Sequence, residues 1–460
     1  MSAPDTAAHV DRSRLPPLRP VPRFAFPAID KSVLANGLRV WSVRHEGVPL
    51  IGFLLIVRRG AADDPPRQDG LAALTADMLD EGTGSWSAIE VHQEIARIGA
   101  QFDTDIGADA TLVGLTALSR FAGRSLELLA SVVVRPTLAD ADFIRVRQLR
   151  LNRLIQLRDM PGVVADRVFA RLLYGDAPYG HTPLGSERTL SALTVEDVRS
   201  FHTRLMRPGS STLIAVGDCD HEAIRRLADA AFGAWIPAAE HVADGPDTIV
   251  RPARLNVVPR PDAPQSELRI GHVAVARSSP DYHALVAANM VLGGQYVSRI
   301  NMNLRADKGI TYGAGSAFDF RRRPGPFALK ASVDSRATAT AISESIGEIA
   351  GIRGDRPVSA DELAIGVAAL TRGYARNFET SDQIARAVAQ LALYDLPDDY
   401  YSQFVPRVES LTPDEVMRAA ARHLDPARLT TLVVGDAAAI GQDPDRLDLG
   451  APVVVSPDSI

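Results

Sequence analysis

The sequence predicts an α+β protein of two homologous domains, each a mixed β-sheet packed with helices and related to the other by an internal repeat. Three observations lead there. Leu411-Thr-Pro-Asp-Glu-Val416 echoes Leu193-Thr-Val-Glu-Asp-Val198, and Leu432-Val-Val-Gly-Asp436 echoes Ile214-Ala-Val-Gly-Asp218. Leu411 stands 218 positions after Leu193, and Gly435 stands 218 after Gly217, so the two matches share one offset. Strand-like and helix-like stretches follow no regular βαβ alternation, which excludes a doubly wound parallel sheet. Finally, patterning stops over 237–252, a run of Ala, Asp, Gly and Pro with little to bury. That run reads as a linker between a first domain at 26–236 and a second at 253–460, a division that suits a chain too long for one core.

The elements follow in order. Residues 1–25 form an irregular arm, because Pro16, Pro17, Pro20 and Pro22 interrupt helix and ladder alike. Asn36-Gly37 between two apolar stretches signals a hairpin turn. Leu50 to Val57 is almost continuously apolar and predicts a strand buried on both faces. Asp63 to Asp69 is a loop delivering the chain into a helix framed by Gly70 and Gly82. Ser87 with Glu90 three residues on is a capping box for the next helix. Gln101 to Ala117 alternates like a strand pair, and helices are expected over 120–134, over 138–158 with Asp140 as cap, and over 161–173. A loop from Asp176 to Glu187, a helix opening at Leu193 and a strand from Ser211 to Val216 complete the domain.

Composition narrows the function classes. A formal charge of -6 argues against nucleic acid or an anionic membrane as the main partner. The single cysteine, Cys219, permits neither an intramolecular disulfide nor a thiolate-rich metal site. The N-terminal region lacks the apolar segment of a signal peptide, and Ile51 to Val57 is too short to cross a bilayer. A cytoplasmic location is the default expectation, with the periplasm as the alternative if a leader has been removed.

The stretch Gly70-Leu-Ala-Ala-Leu-Thr-Ala-Asp-Met-Leu-Asp-Glu-Gly82 holds no pair of histidines. His92, His181, His202, His272 and His283 are scattered, none spaced to chelate with another on a helix face. Asp77, Asp80 and Glu81 stand at i, i+3, i+4, which would put three carboxylates on one helix face. A hard cation is conceivable there; a solvated acidic face is the expected reading. Gly293-Gly294 lacks the Lys and Ser/Thr of a phosphate loop and reads as a turn.

Several motifs nevertheless run in a familiar order. They are the Gly70–Gly82 frame, Pro178-Tyr-Gly180 with Leu184-Gly185, Arg207-Pro208, Val216-Gly217-Asp218, Phe232-Gly-x-Trp235, Leu292-Gly-Gly294, Ser298-Arg299, and Leu304-Arg305 through Gly309 to Tyr312. In this order and spacing the chain resembles the insulinase and mitochondrial processing peptidase family of zinc proteases. The resemblance implies two homologous α+β domains, paired with a second subunit around a peptide chamber. In that family the helix frame carries His-x-x-Glu-His, two zinc ligands and a general base. Here those positions fall on Ala73, Ala76 and Asp77, and the family's third ligand falls on Arg153, aligned through Arg158-Asp159-x-Pro161. A catalytic zinc needs three protein ligands and an open position, so no metal is expected in this chain. The family also places an Arg and a Tyr seven residues apart in the second domain, near the scissile bond. Arg305 and Tyr312 keep that spacing and could donate hydrogen bonds to a carbonyl oxygen gaining charge.

The resemblance thus implies a zinc-free subunit that is no enzyme alone. It would bind peptide through Arg305 and Tyr312 while a homologous partner carries the zinc. The competing reading is a scaffold subunit, like the core subunits of respiratory complexes in the same family. Apart from Gly293-Gly294 no glycine-rich loop is found, which favours a bacterial-type general peptidase pair over presequence processing.

Overall fold

A computed structural model describes Ser13 and residues 24–237, 254–440 and 447–456. Most of the 1–25 arm and all but the first residue of the 237–252 linker lie outside the described residues. In the first half the strands are β1 (Asp30–Val33), β2 (Arg39–Arg44), β3 (Leu50–Val57), a small ribbon of β4 (Gly82–Thr83) and β5 (Trp86–Ser87), β6 (Gln101–Ile106), β7 (Thr111–Leu118) and β8 (Ser211–Gly217). The second half supplies β9 (Leu255–Pro259), β10 (Gln265–Val273), β11 (Thr311–Phe318), β12 (Pro326–Asp334), β13 (Thr430–Gly435) and β14 (Val453–Val454).

Two six-stranded sheets result, ordered β1-β2-β8-β3-β7-β6 and β14-β9-β13-β10-β12-β11. Beyond the edge strands β1 and β14 the orders correspond one for one, and the parallel join of β2 with β8 is matched by that of β9 with β13, while the edge strands differ: β1 pairs antiparallel with β2 and β14 pairs parallel with β9. The repeat is therefore a repeat of topology as well as of words. The echoed segments do the same job: Thr194 and Thr412 each cap a helix reciprocally with the residue three on, Asp197 and Glu415. Asn36-Gly37 makes the β1–β2 turn, with Gly37 at φ +89°. β3 is buried at every position but its first.

The halves interlock. Sheets bury one face against their own domain's helices, but the other face is covered by a helix from the opposite half. Val164, Val168 and Phe169 of the helix Pro161–Tyr174 pack on Val258, Leu432 and Val434 of the second sheet. Ile384, Val388 and Leu391 of the helix Ser381–Tyr394 pack on Leu54, Ile56, Ile214 and Val216 of the first. Each such side chain contributes about 1.5–3 kcal/mol on burial. Polar contacts mirror the exchange with reversed sign. Asp166 bonds Arg269 and Lys330 of the second sheet, both at 2.8 Å, and Arg386 lies 3.3 and 3.6 Å from Asp103 and Asp105 on β6. The last residues of the two helices, Tyr174 and Tyr394, donate to the carbonyls of Pro324 and Phe320 at 3.0 and 3.1 Å, in the loop joining β11 and β12.

Three local expectations need correction. The helix after Gly70 covers only Leu71–Asp77, with Met78 as its C-cap, because the chain must turn at once into β4. There Gly82 sits at φ +139°, and a Cβ would lie 2.9 Å from the Trp86 carbonyl. Asp80 and Glu81 therefore lie beyond the helix and do not share a helical face with Asp77. Asp140 is the first residue of the helix Asp140–Arg158; Ala139 holds the cap position and offers no side-chain bond. Among the described residues no helix is long and apolar enough to cross a membrane.

Candidate functional site

The helix Leu71–Asp77 is held from its N-terminus. The Asp64 carboxylate accepts from the backbone N–H groups of Gly70 and Ala72, both at 2.7 Å, where the helix dipole favours negative charge. Asp64 is buried, and burial raises its pKa against the lowering pull of His181. The His181 ring nitrogen lies 3.2 Å from Asp64 and 2.8 Å from the Ala61 carbonyl. Burial opposes the His181 charge, but its hydrogen bond and charge contact with Asp64 outweigh it and raise the histidine's pKa. His181 arrives on the 176–187 loop, which can approach because Gly185 meets Gly70: a Cβ on either would come within 3.1 Å of the other's Cα.

Along this helix the two ligand positions and the base position of the family's motif are filled by structure. Ala73 and Ala76 are 1% and 3% exposed. The last of them, Asp77, is held by Arg150, whose Nη1 lies 2.5 Å from its carboxylate while Nη2 donates to the Pro183 carbonyl at 2.8 Å. The helix register thus brings Arg150, not Arg153, to Asp77; Arg153 is exposed one turn on. Asp80 lies 3.3 Å from His92, and burial raises its pKa. Glu81 pairs with Arg145. Each carboxylate has its own base, and no group of three His, Cys, Asp or Glu side chains among the described residues is placed to hold a metal. A zinc ion does not fit this donor set: of the helix's two ligand positions Ala73 is a buried methyl group and Asp77 is bound to a guanidinium, and the base position, Ala76, is a second buried methyl group.

Other histidines are structural too. His202 bonds the Val133 carbonyl at 2.7 Å, and burial lowers its pKa. His272 is buried on β10, and burial lowers its pKa to about 4.

The Arg305 and Tyr312 region differs in kind. The short helix Arg299–Asn301 widens into a π-helical stretch, Met302–Asp307, in which the Lys308 N–H reaches the Asn303 carbonyl at 3.1 Å. Such widenings are rare and recur at functional sites. Asn303 fastens the stretch to the helix Thr338–Gly351 by bonds of 2.9 and 2.8 Å to Glu344 and Glu348. On it, Arg305 lies over the Tyr296 ring, 4.4 Å from guanidinium carbon to centroid, and has no carboxylate at ion-pair distance among the described residues. Tyr312 follows at the start of β11, beside a bulge between Thr311 and Ala314, and is 92% exposed. Tyr296, Val297 and Met302, in the segment leading to Arg305, are exposed as well. Sequence reasoning gave Arg305 and Tyr312 but missed Tyr296 and Asn301. The only signal for the latter pair was their place between the Gly293-Gly294 turn and Arg305.

Two family models match this chain in succession, together covering most of it. The insulinase (peptidase family M16) model spans residues 39–180, and the model of the peptidase M16 inactive domain spans 192–370. The chain belongs to the insulinase family. Its curated relatives in the family include proteins named uncharacterized zinc protease from Streptomyces coelicolor, 23% identical over 88% of this chain and 89% of the relative, and from Mycobacterium tuberculosis, 24% identical over 88% and 92%. Among solved structures, a peptidase M16 inactive domain from Pseudomonas fluorescens superposes with a TM-score of 0.81 at 24% identity, covering 89% of this chain and 98% of that one. A protease from Helicobacter pylori gives 0.81 at 19% identity, covering 89% and 100%. These likenesses establish the fold. This insulinase-family member carries an inactive-type domain and is related to zinc proteases, while its own Gly70–Gly82 stretch holds no histidine.

Proposed function

We propose that the chain is the zinc-free subunit of a two-chain zinc peptidase. The observation that carries this reading is a contrast within one molecule. The motif's ligand and base positions are replaced by buried alanines and an Asp–Arg pair, whereas Arg305 and Tyr312 present donors outward from a built support. A homologous partner would supply His-x-x-Glu-His and the zinc. This chain would supply half of the chamber wall and bind the peptide carbonyl as it gains charge. A scaffold would make no use of an exposed Tyr312 and an Arg305 stacked on a ring without a carboxylate partner among the described residues.

The test is reconstitution. The purified chain alone is expected to cleave no fluorogenic peptide, and cleavage is expected on adding a homologous His-x-x-Glu-His subunit from the same source. Equal cleavage by that subunit with and without this chain would overturn the proposal.

A further inference from the structure

We infer that Asn301 is the positioning residue of this site, setting Arg305 and Tyr312 from a single buried amide; the inference rests on the reading above. Asn301 is 6% exposed and uses both ends of its side chain. Its Oδ1 accepts from the Ala314 N–H at 3.1 Å, and its Nδ2 donates to the Tyr296 carbonyl at 2.6 Å. Ala314 is the first residue of β11 back in register with β12 after the bulge. The bond therefore fixes where the bulged turn ends, and with it the direction in which Tyr312 leaves the strand. Tyr296 is the ring on which the Arg305 guanidinium rests. The same amide thus anchors the ring's backbone and the tyrosine's strand.

The neighbourhood supports one side of that clamp. Gly293 and Asn289 hold β11 further along: the Ser316 N–H donates to the Gly293 carbonyl at 3.0 Å, and Asn289 Nδ2 donates to the Ser316 carbonyl at 2.9 Å. Gly293 must be glycine, because a Cβ would lie 2.6 Å from the Ser316 backbone nitrogen. The Gly293-Gly294 turn is thus the docking point of the Gly293–Asn301 segment on the strand edge. Between Ser316 and the exposed Tyr312, Asn301 is the side chain that continues this docking. A guanidinium held by a ring and a phenol held by a strand start need their spacing kept to well under an ångström to meet one carbonyl oxygen together.

The test uses the full chain, alone and joined to its zinc-bearing partner. Asn301→Ala is expected to lower kcat about ten- to a hundredfold while KM stays within about twofold. Hydrogen exchange at the Ala314 amide should accelerate in the chain alone. Asn301→Asp keeps the acceptor for Ala314 but loses the donor to Tyr296, so it should restore amide protection and recover only part of kcat. In an Arg305→Ala/Tyr312→Phe background, Asn301→Ala should cost no further turnover. The inference is overturned if Asn301→Ala leaves kcat intact, or if it costs the same in that background as in the wild type, which would mark a purely structural role. If Arg305→Ala/Tyr312→Phe itself leaves turnover unchanged, the functional reading fails rather than the positioning of Asn301.

Discussion

The helix Leu71–Asp77 and the segment Arg299–Tyr312 make opposite uses of polar residues. Around the first, each of these carboxylates is answered from within: Asp64 by the helix N-terminus and His181, Asp77 by Arg150, Asp80 by His92 and Glu81 by Arg145. Around the second, internal bonds are spent on the backbone and on Asn301 and Asn303, leaving the Arg305 guanidinium against a ring and the Tyr312 phenol in solvent. A site whose carboxylates are each answered from within is a structural element. A site built to hold donors outward on a rigid support is one that expects a ligand. One chain carrying both sets a closed helix without zinc residues beside a second region whose Arg305 and Tyr312 are not used up internally, and the proposed subunit role rests on that contrast.

The largest expected effect breaks the outward-facing side. Arg305→Ala with Tyr312→Phe should lower turnover of the assembled peptidase by about a hundred- to a thousandfold, with the urea midpoint of the chain unchanged, since neither side chain is part of the core. Steady-state kinetics and denaturation on one preparation decide it. A wild-type turnover would reduce the pair to surface residues.

Next, an attempt to reopen the closed side should fail by destabilising it. Ala73→His, Ala76→Glu and Asp77→His together place large polar groups where 1% and 3% exposed methyls now pack, and they leave the Arg150 guanidinium without its carboxylate. The triple variant should lose about 3–5 kcal/mol by urea denaturation and bind no stoichiometric zinc. A stable variant holding one zinc would show that only the three side chains separate the two kinds of helix.

A smaller effect belongs to the ion pair alone. Arg150→Met should cost about 1–2 kcal/mol, because Asp77 is partly exposed while the Pro183 carbonyl loses a donor. Adding Asp77→Asn should recover part of the loss, and a double-mutant cycle measures the coupling. Smallest is a pH effect confined to the closed side. The His181 pKa is raised in the fold, so its contribution is fully present below the unfolded value near 6.5 and is lost as pH rises through the folded value. His181→Gln should flatten that decline of stability as pH rises past about 6.5 and leave the Arg305 side untouched. An unchanged pH profile would mean that Asp64 and His181 do not exchange charge with folding.

Much of this was legible because it is local. The Thr194 and Thr412 caps, the Asn36-Gly37 turn, the buried run of β3 and the 218-residue repeat depend on neighbours in sequence. The helix exchange was not legible: the apolar stripe of Pro161–Tyr174 looks the same whichever sheet it covers, and the choice is made by Val258, Leu432 and Val434 far along the chain. Arg150 and Arg153 are three residues apart on one helix, so only its docking against Leu71–Asp77 tells which faces Asp77. The same limit hid the end of that helix, set by the turn into β4, and the Asn301 clamp, made of bonds to a loop carbonyl and a strand amide. Arg305 and Tyr312 stood out through the family resemblance; what the structure adds is their support.

The central claim is that the metal belongs to another chain. Zinc content, measured by atomic spectroscopy on the assembled peptidase and on its separated subunits, tests it most directly. The account predicts one zinc per pair of chains, all of it with the partner, and none with this chain. One equivalent of zinc remaining with this chain, whose removal abolishes peptide cleavage, would contradict it.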